Sequence, residues 1–241
     1  MDKKYSFKDL RDIVKVLRSE NGCPWDRRQT HKSLKPCMME EAAELVSSIR
    51  IYDNTGNAEN MREELGDILL QVMMHSLIAE EEGLFTLEDV VCEISEKMIR
   101  RHPHVFGEKG GEKKAEDIPA DWEEIKRREK EGKKWIESPL REIPMELPAL
   151  ARAAKVLKKA DKLYGAGFGY KENAFRLEEA AKRLKELEPD QDREKLEEAM
   201  GDILMNLSDI AGLYKISQEQ ILTDRVEDVI NKYEPAKNLD K

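Results

Sequence analysis

Cysteine is scarce in this chain: Cys23, Cys37 and Cys92 are the only three among 241 residues, and none stands in a C-x-x-C spacing. An odd number without that spacing excludes a disulfide-stapled secreted fold and points to reduced thiols in a cytoplasmic protein. Aromatic residues make up only 6%, and the 13 glycines and nine prolines cluster at a few places, which leaves long helices as the main element. No apolar run approaches the length of a membrane span, and the first residues, Met1 to Lys4, are polar where a signal segment would be apolar. Positive charge is in deficit as well. A net charge of −9 argues against sequence-independent nucleic-acid binding and against an anionic membrane surface. One phosphorylated ligand stays compatible, provided metal ions bring the compensating charge.

What the chain has in abundance is charge in amphipathic helical sequence, 39% of residues overall. Two short acidic clusters stand out, Glu40-Glu41-Ala42-Ala43-Glu44 and Glu63-Glu64-Leu65-Gly66-Asp67. On a helix with about 100° per residue, Ala42, Leu45, Val46 and Ile49 spread over roughly 40° to 140° from Glu41, and Glu44 falls near about 300°. Measured from Glu64, Leu65, Ile68, Leu69 and Val72 occupy the same arc and Asp67 takes the place of Glu44. Each helix thus carries two carboxylates, i and i+3, along one edge of the stripe it must bury. Single pairs of this kind are ordinary on solvated helices. Two pairs in the same phase, joined by one turn, bring four carboxylates to one seam, where repulsion and desolvation are costly. A hard, oxygen-seeking divalent cation such as Mg²⁺ removes that cost. A di-iron bundle would need Glu-x-x-His pairs, and no histidine follows Glu41, Glu44 or Glu64 at i+3. His102 and His104 bracket a proline without a partner His or Cys, so zinc is not expected.

The surrounding sequence reads as helices over Phe7–Arg18, from near Pro36 to about Tyr52, from about Ala58 to Glu82, and from the Thr86/Asp89 cap to about Arg101. The break Asn21-Gly22-Cys23-Pro24-Trp25-Asp26 holds a tryptophan that either covers a pocket or pins the loop to the core. Lys97, Arg100 and Arg101 close the fourth helix; they complement its dipole or hold a polyphosphate against the acids. A charged helix over 120–134, anchored by Trp122 and Ile125, precedes a proline-rich linker over 137–148.

The second half then echoes the first. Glu178-Glu179 stands where Glu40-Glu41 stood, and Met200-Gly201-Asp202-Ile203-Leu204 answers Leu65-Gly66-Asp67-Ile68-Leu69 at an offset near 135 residues. The copies differ where chemistry would matter, because Lys182 replaces Glu44 and Ala199 replaces Glu64. We therefore expect an all-α tandem of helical bundles. Residues 1–136 form the catalytic domain, and residues 137–241 hold the linker and a degenerate structural domain.

The acidic pattern, together with the Gly22-Cys23-Pro24-Trp25 loop, Glu81-Glu82-Gly83 and Arg100-Arg101-His102-Pro103-His104-Val105-Phe106, resembles the MazG family of nucleoside triphosphate pyrophosphohydrolases. With the tandem arrangement, the resemblance spans nearly the whole chain. It implies an all-α NTP-pyrophosphatase bundle working as a homodimer, with a tetramer also open, and with Mg²⁺ on Glu41, Glu44, Glu64 and Asp67. Glu40 would orient or deprotonate water beside Glu41, Lys97 and Arg101 would contact the phosphates, and Trp25 would lie against the substrate. Nucleoside triphosphates would be cleaved to monophosphate and pyrophosphate, in a housecleaning role on the nucleotide pool. The rival reading is a non-catalytic helical oligomer or binding module.

Overall fold

The computed structural model describes residues 4–107, 122, 125, 128, 129, 138–188 and 192–234. Every regular element among them is a helix, as the composition and periodicity predict. The chain divides into two compact units, Met1–Glu129 and Lys130–Lys241.

In the first unit, α1 (Phe7–Arg18) opens on a reciprocal Ser6/Asp9 capping box. A single turn, α2 (Pro24–Arg27), sits inside the predicted break, with proline at its first position. Helix α3 (His31–Thr55) starts five residues before the expected Pro36. Thr30 and Ser33 form a capping box that nucleates it early, so Pro36 is carried within the second turn, where one backbone hydrogen bond is forgone. Gly56 ends α3 in the left-handed conformation at φ 71°. Helix α4 (Glu59–Glu81) follows, its first turn held by Asn57 Oδ1, which accepts from the Glu59 amide at 2.8 Å. The predicted Thr86/Asp89 box opens α5 (Leu87–Arg101), and α6 (Pro103–Phe106) adds a single turn after it.

The core of this unit gathers Val14, Leu34, Met73, Met74, Leu77, Ile78 and Leu87 around the C-terminal half of α4. Other stripe residues stay open to solvent: Val46 is 67% exposed, and Ile49, Val91 and Ile94 are each above 40%. The charged helix expected over 120–134 lies outside the described residues except for Trp122, Ile125, Arg128 and Glu129, which are helical. Trp122 meets the His102 ring edge-on at 5.3 Å, and Glu129 bonds both Arg100 and Arg101.

The second unit comprises α7 (Ala149–Tyr164), α8 (Tyr170–Glu186), α9 (Arg193–Tyr214) and α10 (Gln218–Tyr233). Its seam is small and polar. Ala180, Ala199, Ala211 and Ser208 are buried, and Asn173 Nδ2 donates to Asp209 Oδ2 at 2.8 Å. Glu219 of α10 accepts from the Leu150 and Ala151 amides, capping the start of α7. No helix among the described residues is long and apolar enough to cross a membrane.

Candidate metal centre

The α3–α4 hairpin carries the site. The Gly56 stop and the short Asn57–Ala58 connection fold α4 back along α3, which places Glu41 opposite Glu64 and Asp67. Carboxylate oxygens of these three residues lie within 4.8 Å of one another, and no other such group of potential metal ligands occurs among the described residues. Glu64 is further fixed by the Asn60 side chain, which donates to its Oε1 at 2.7 Å. Burial, and after it the negative charges of Asp67, Glu44, Glu64 and Glu40, push the Glu41 carboxyl above its ordinary value. Glu44 and Glu40 therefore stand close enough to be felt, though both side chains are exposed and outside the convergent trio. Oxygen donors packed this tightly, with no cation of the protein paired to them among the described residues, are chemically suited to a divalent metal.

The remaining predicted residues fall elsewhere. Lys97 is half-buried on α5 and makes no ion pair among the described residues. Arg101 spends its guanidinium on Glu129, with Nη2 to Oε2 at 2.5 Å and Nε to Oε2 at 3.1 Å. These bonds, the Arg101 contribution being the larger, hold Glu129 down at about 2. Trp25 is 73% exposed, so it does not pin its loop to the core.

That pinning is done by Arg18, which in the sequence marks only the end of the first helix. Its side chain is 4% exposed and forks onto Glu81, with Nε to Oε1 at 2.9 Å and Nη2 to Oε2 at 2.6 Å. Nη1 donates to the backbone carbonyls of Asp26 and Gln29 at 2.6 and 3.3 Å. One guanidinium thus ties α1, the α2 turn and the end of α4 together, which gives Glu81 in the Glu81-Glu82-Gly83 motif a physical role. Gly22 completes the bend: a Cβ there would stand 2.2 Å from the Val16 carbonyl oxygen.

Between this loop and the hairpin lies a cavity of about 490 Å³, lined by Trp25, Leu34, Cys37, Leu70, Gln71 and Met74 among others. Gln71 is 6% exposed, and its Oε1 is buried without a hydrogen-bond partner among the described residues. Leaving such an oxygen unpaired costs about 1–3 kcal/mol. The sequence signal was available, since Gln71 lies one turn from Asp67 on an otherwise apolar stretch of α4.

In the second unit the corresponding acids face built-in cations. Lys182 reaches Glu178 and Glu179 at 2.9 Å each, and Arg183 reaches Asp202 at 2.5 Å. Ala199 is buried at the position of Glu64.

Comparison with known proteins agrees with this geometry. The model of the MazG nucleotide pyrophosphohydrolase domain matches residues 29–106, the segment that holds the acidic trio. Over 233 residues the chain is 39% identical to the nucleoside triphosphate pyrophosphohydrolase/pyrophosphatase MazG of Thermotoga maritima, covering 97% of this chain and 86% of that one. It is 38% identical over 208 residues to the nucleoside triphosphate pyrophosphohydrolase of Escherichia coli K12, covering 84% and 76%. The Bacillus subtilis protein YabN is 43% identical over 220 residues, which are 91% of this chain and 44% of that one. On its acidic hairpin and its similarity along nearly its whole length, the chain belongs to the MazG family.

Proposed function

We propose that this chain is a Mg²⁺-dependent nucleoside triphosphate pyrophosphohydrolase, a hydrolase acting on acid anhydrides, which converts a nucleoside triphosphate and water to the monophosphate and pyrophosphate. The convergence of Glu41, Glu64 and Asp67 within 4.8 Å, inside the segment matched by the family model, carries the reading.

Glu41, Glu64 and Asp67, with Glu44 swinging in from the next turn of α3, would hold the metal. Mg²⁺ there supplies positive charge to the triphosphate and lowers the pKa of the attacking water. The chain's own groups do the rest. Glu40, exposed beside Glu41, accepts a proton from that water and keeps it in line with the α-phosphorus. Lys97 and Arg101 meet the charge that grows on the departing pyrophosphate, Arg101 by exchanging Glu129 for phosphate oxygens. Trp25 lies exposed at the mouth of the adjacent cavity, against the nucleoside.

The second unit acts as a structural copy. Lys182 and Arg183 supply the compensating charge to its surviving acids, and a metal would have to displace both. The solvent-exposed stripe residues Val46, Ile49, Val91 and Ile94 support a homodimer in which a second copy covers them. Three free cysteines fit a cytoplasmic setting, and the housecleaning role on the nucleotide pool follows from the resemblance.

Pyrophosphate release from a panel of nucleoside triphosphates tests the proposal. We expect turnover with Mg²⁺ and none with EDTA. Turnover that persists in EDTA would refute the metal-dependent reading, and an absence of turnover on every nucleotide would refute the activity.

A further inference from the structure

Two of the chain's four histidines meet at the open end of the α3–α4 hairpin. His31 begins α3 and His75 sits on α4, and their Nδ1 atoms are 2.8 Å apart. The rings are parallel to within 5°, with centroids 5.1 Å apart. Rings that touch nitrogen to nitrogen at 2.8 Å reach that separation only when they lie end to end, so the two share a plane rather than stacking face on face. Each Nδ1 then points straight at the other, which is the geometry of an N–H···N hydrogen bond. The same alignment is wrong for a shared metal, whose imidazole ligands converge on it at an angle. The pair lies ten residues before Glu41 and eight after Asp67, about 12–15 Å along the hairpin from the acidic trio.

Such a bond holds one proton between the rings and no more. In the neutral pair one Nδ1 donates and the other accepts. A proton added to the bare Nε2 of the donating ring leaves the bond in place, and the Glu82 carboxylate stands 3.8 Å from His31 Nε2 to meet that charge. A further proton has only the accepting Nδ1 to occupy, where N–H would face N–H and charge would face charge. His31 also lies in the first turn of α3, whose positive dipole end opposes added charge. The charged groups of the neighbouring elements are engaged with one another: Arg18 of α1 forks onto Glu81, Arg11 and Lys15 of α1 pair with Glu80, and Arg11 pairs also with Glu88 of α5. We propose that His31 and His75 form a proton-operated clasp, which ties the start of α3 to α4 while the rings share one proton and opens when both rings are charged. Burial, and after it His31, hold His75 below its ordinary value. The unfolded chain therefore takes up the proton at a higher pH than the folded one. The stability the clasp contributes is complete above the ordinary histidine range and is lost as pH falls through it.

His75→Asn tests it by putting an amide near the place of the Nδ1 atom. The amide turns over to donate to neutral His31 or to accept from charged His31, so the tie survives the change of pH. Between about pH 7.5 and about pH 5.5 the wild-type Tm should fall at least about 3 °C further than that of His75→Asn. Over the same interval, protection of the amides of residues 34–39 (Pro36 aside) against hydrogen exchange should drop about tenfold or more in the wild type and less than about twofold in the variant. His31→Asn should reproduce both results, and it replaces His75→Asn if that variant does not fold. Equal pH responses in the wild type and a folded variant would overturn the clasp. Nitrogen-15 spectra of the histidine rings in the wild-type chain read the proton directly: at about pH 7.5 one Nδ1 of the pair should carry hydrogen and the other none. Two protonated or two bare Nδ1 atoms there would overturn the proposal whatever the variants do. No readout involves turnover, so the clasp stands or falls apart from the pyrophosphohydrolase reading.

Discussion

Glu41 sits at the point where four other acids are felt, and its neutralisation is what the hairpin lacks on its own. Replacing it by glutamine, or Asp67 by asparagine, should cut pyrophosphate release more than about 100-fold, beyond the usual loss for an outer partner of a metal ligand. The helical circular dichroism signal should stay intact; near-normal turnover in either variant would remove that residue from the site. Glu129 provides a second measurement at this scale. Its folded pKa, held at about 2 by Arg101 and then Arg100, lies below its value in the unfolded chain. The stability it contributes is present above the ordinary carboxylate range and is lost as pH falls through about 2. The difference in Tm between wild type and Glu129→Gln should therefore be full at neutral pH and close in strong acid. If Arg101 binds phosphate, the same variant should also lower KM for the triphosphate at neutral pH, since no carboxylate competes for the guanidinium. An unchanged KM would separate Arg101 from the substrate.

Helix starts and stops show how far local chemistry reaches. The Thr86/Asp89 capping box and the Phe7–Arg18 span were legible, because each is decided within a few residues. The start of α3 was not: Pro36 looked like a beginning, and the Thr30/Ser33 box upstream overrode it. Trp25 was left between two readings for a different reason. A tryptophan's burial depends on what the fold brings to it, and here Arg18 does the anchoring instead. Arg18→Leu should destabilise by about 1–3 kcal/mol, chiefly because the Asp26 and Gln29 carbonyls lose their donor and the loop its tie to α4. Denaturant unfolding measures this, and a wild-type midpoint would show that the loop is held by other contacts.

For the molecule as a whole, the two units invite a direct contrast. Removing carboxylates from the second one, as Glu179→Gln with Asp202→Asn, should leave pyrophosphate release within about two-fold of wild type, since Lys182 and Arg183 already neutralise those acids. A large loss there, matching that of Glu41→Gln, would mean that the second unit takes part in the chemistry.

By itself the sequence determined the all-α class, the echo between the halves, and the phase that puts Glu41, Glu64 and Asp67 on facing seams. These follow from helical periodicity, which is local and repeats every turn. Only the tertiary structure decided which acids converge, that Arg101 is engaged by Glu129, and that the Gln71 Oε1 is buried with no hydrogen-bond partner among the described residues. Those depend on how side chains distant in the sequence meet, and no spacing rule along one strand of residues encodes a meeting between two.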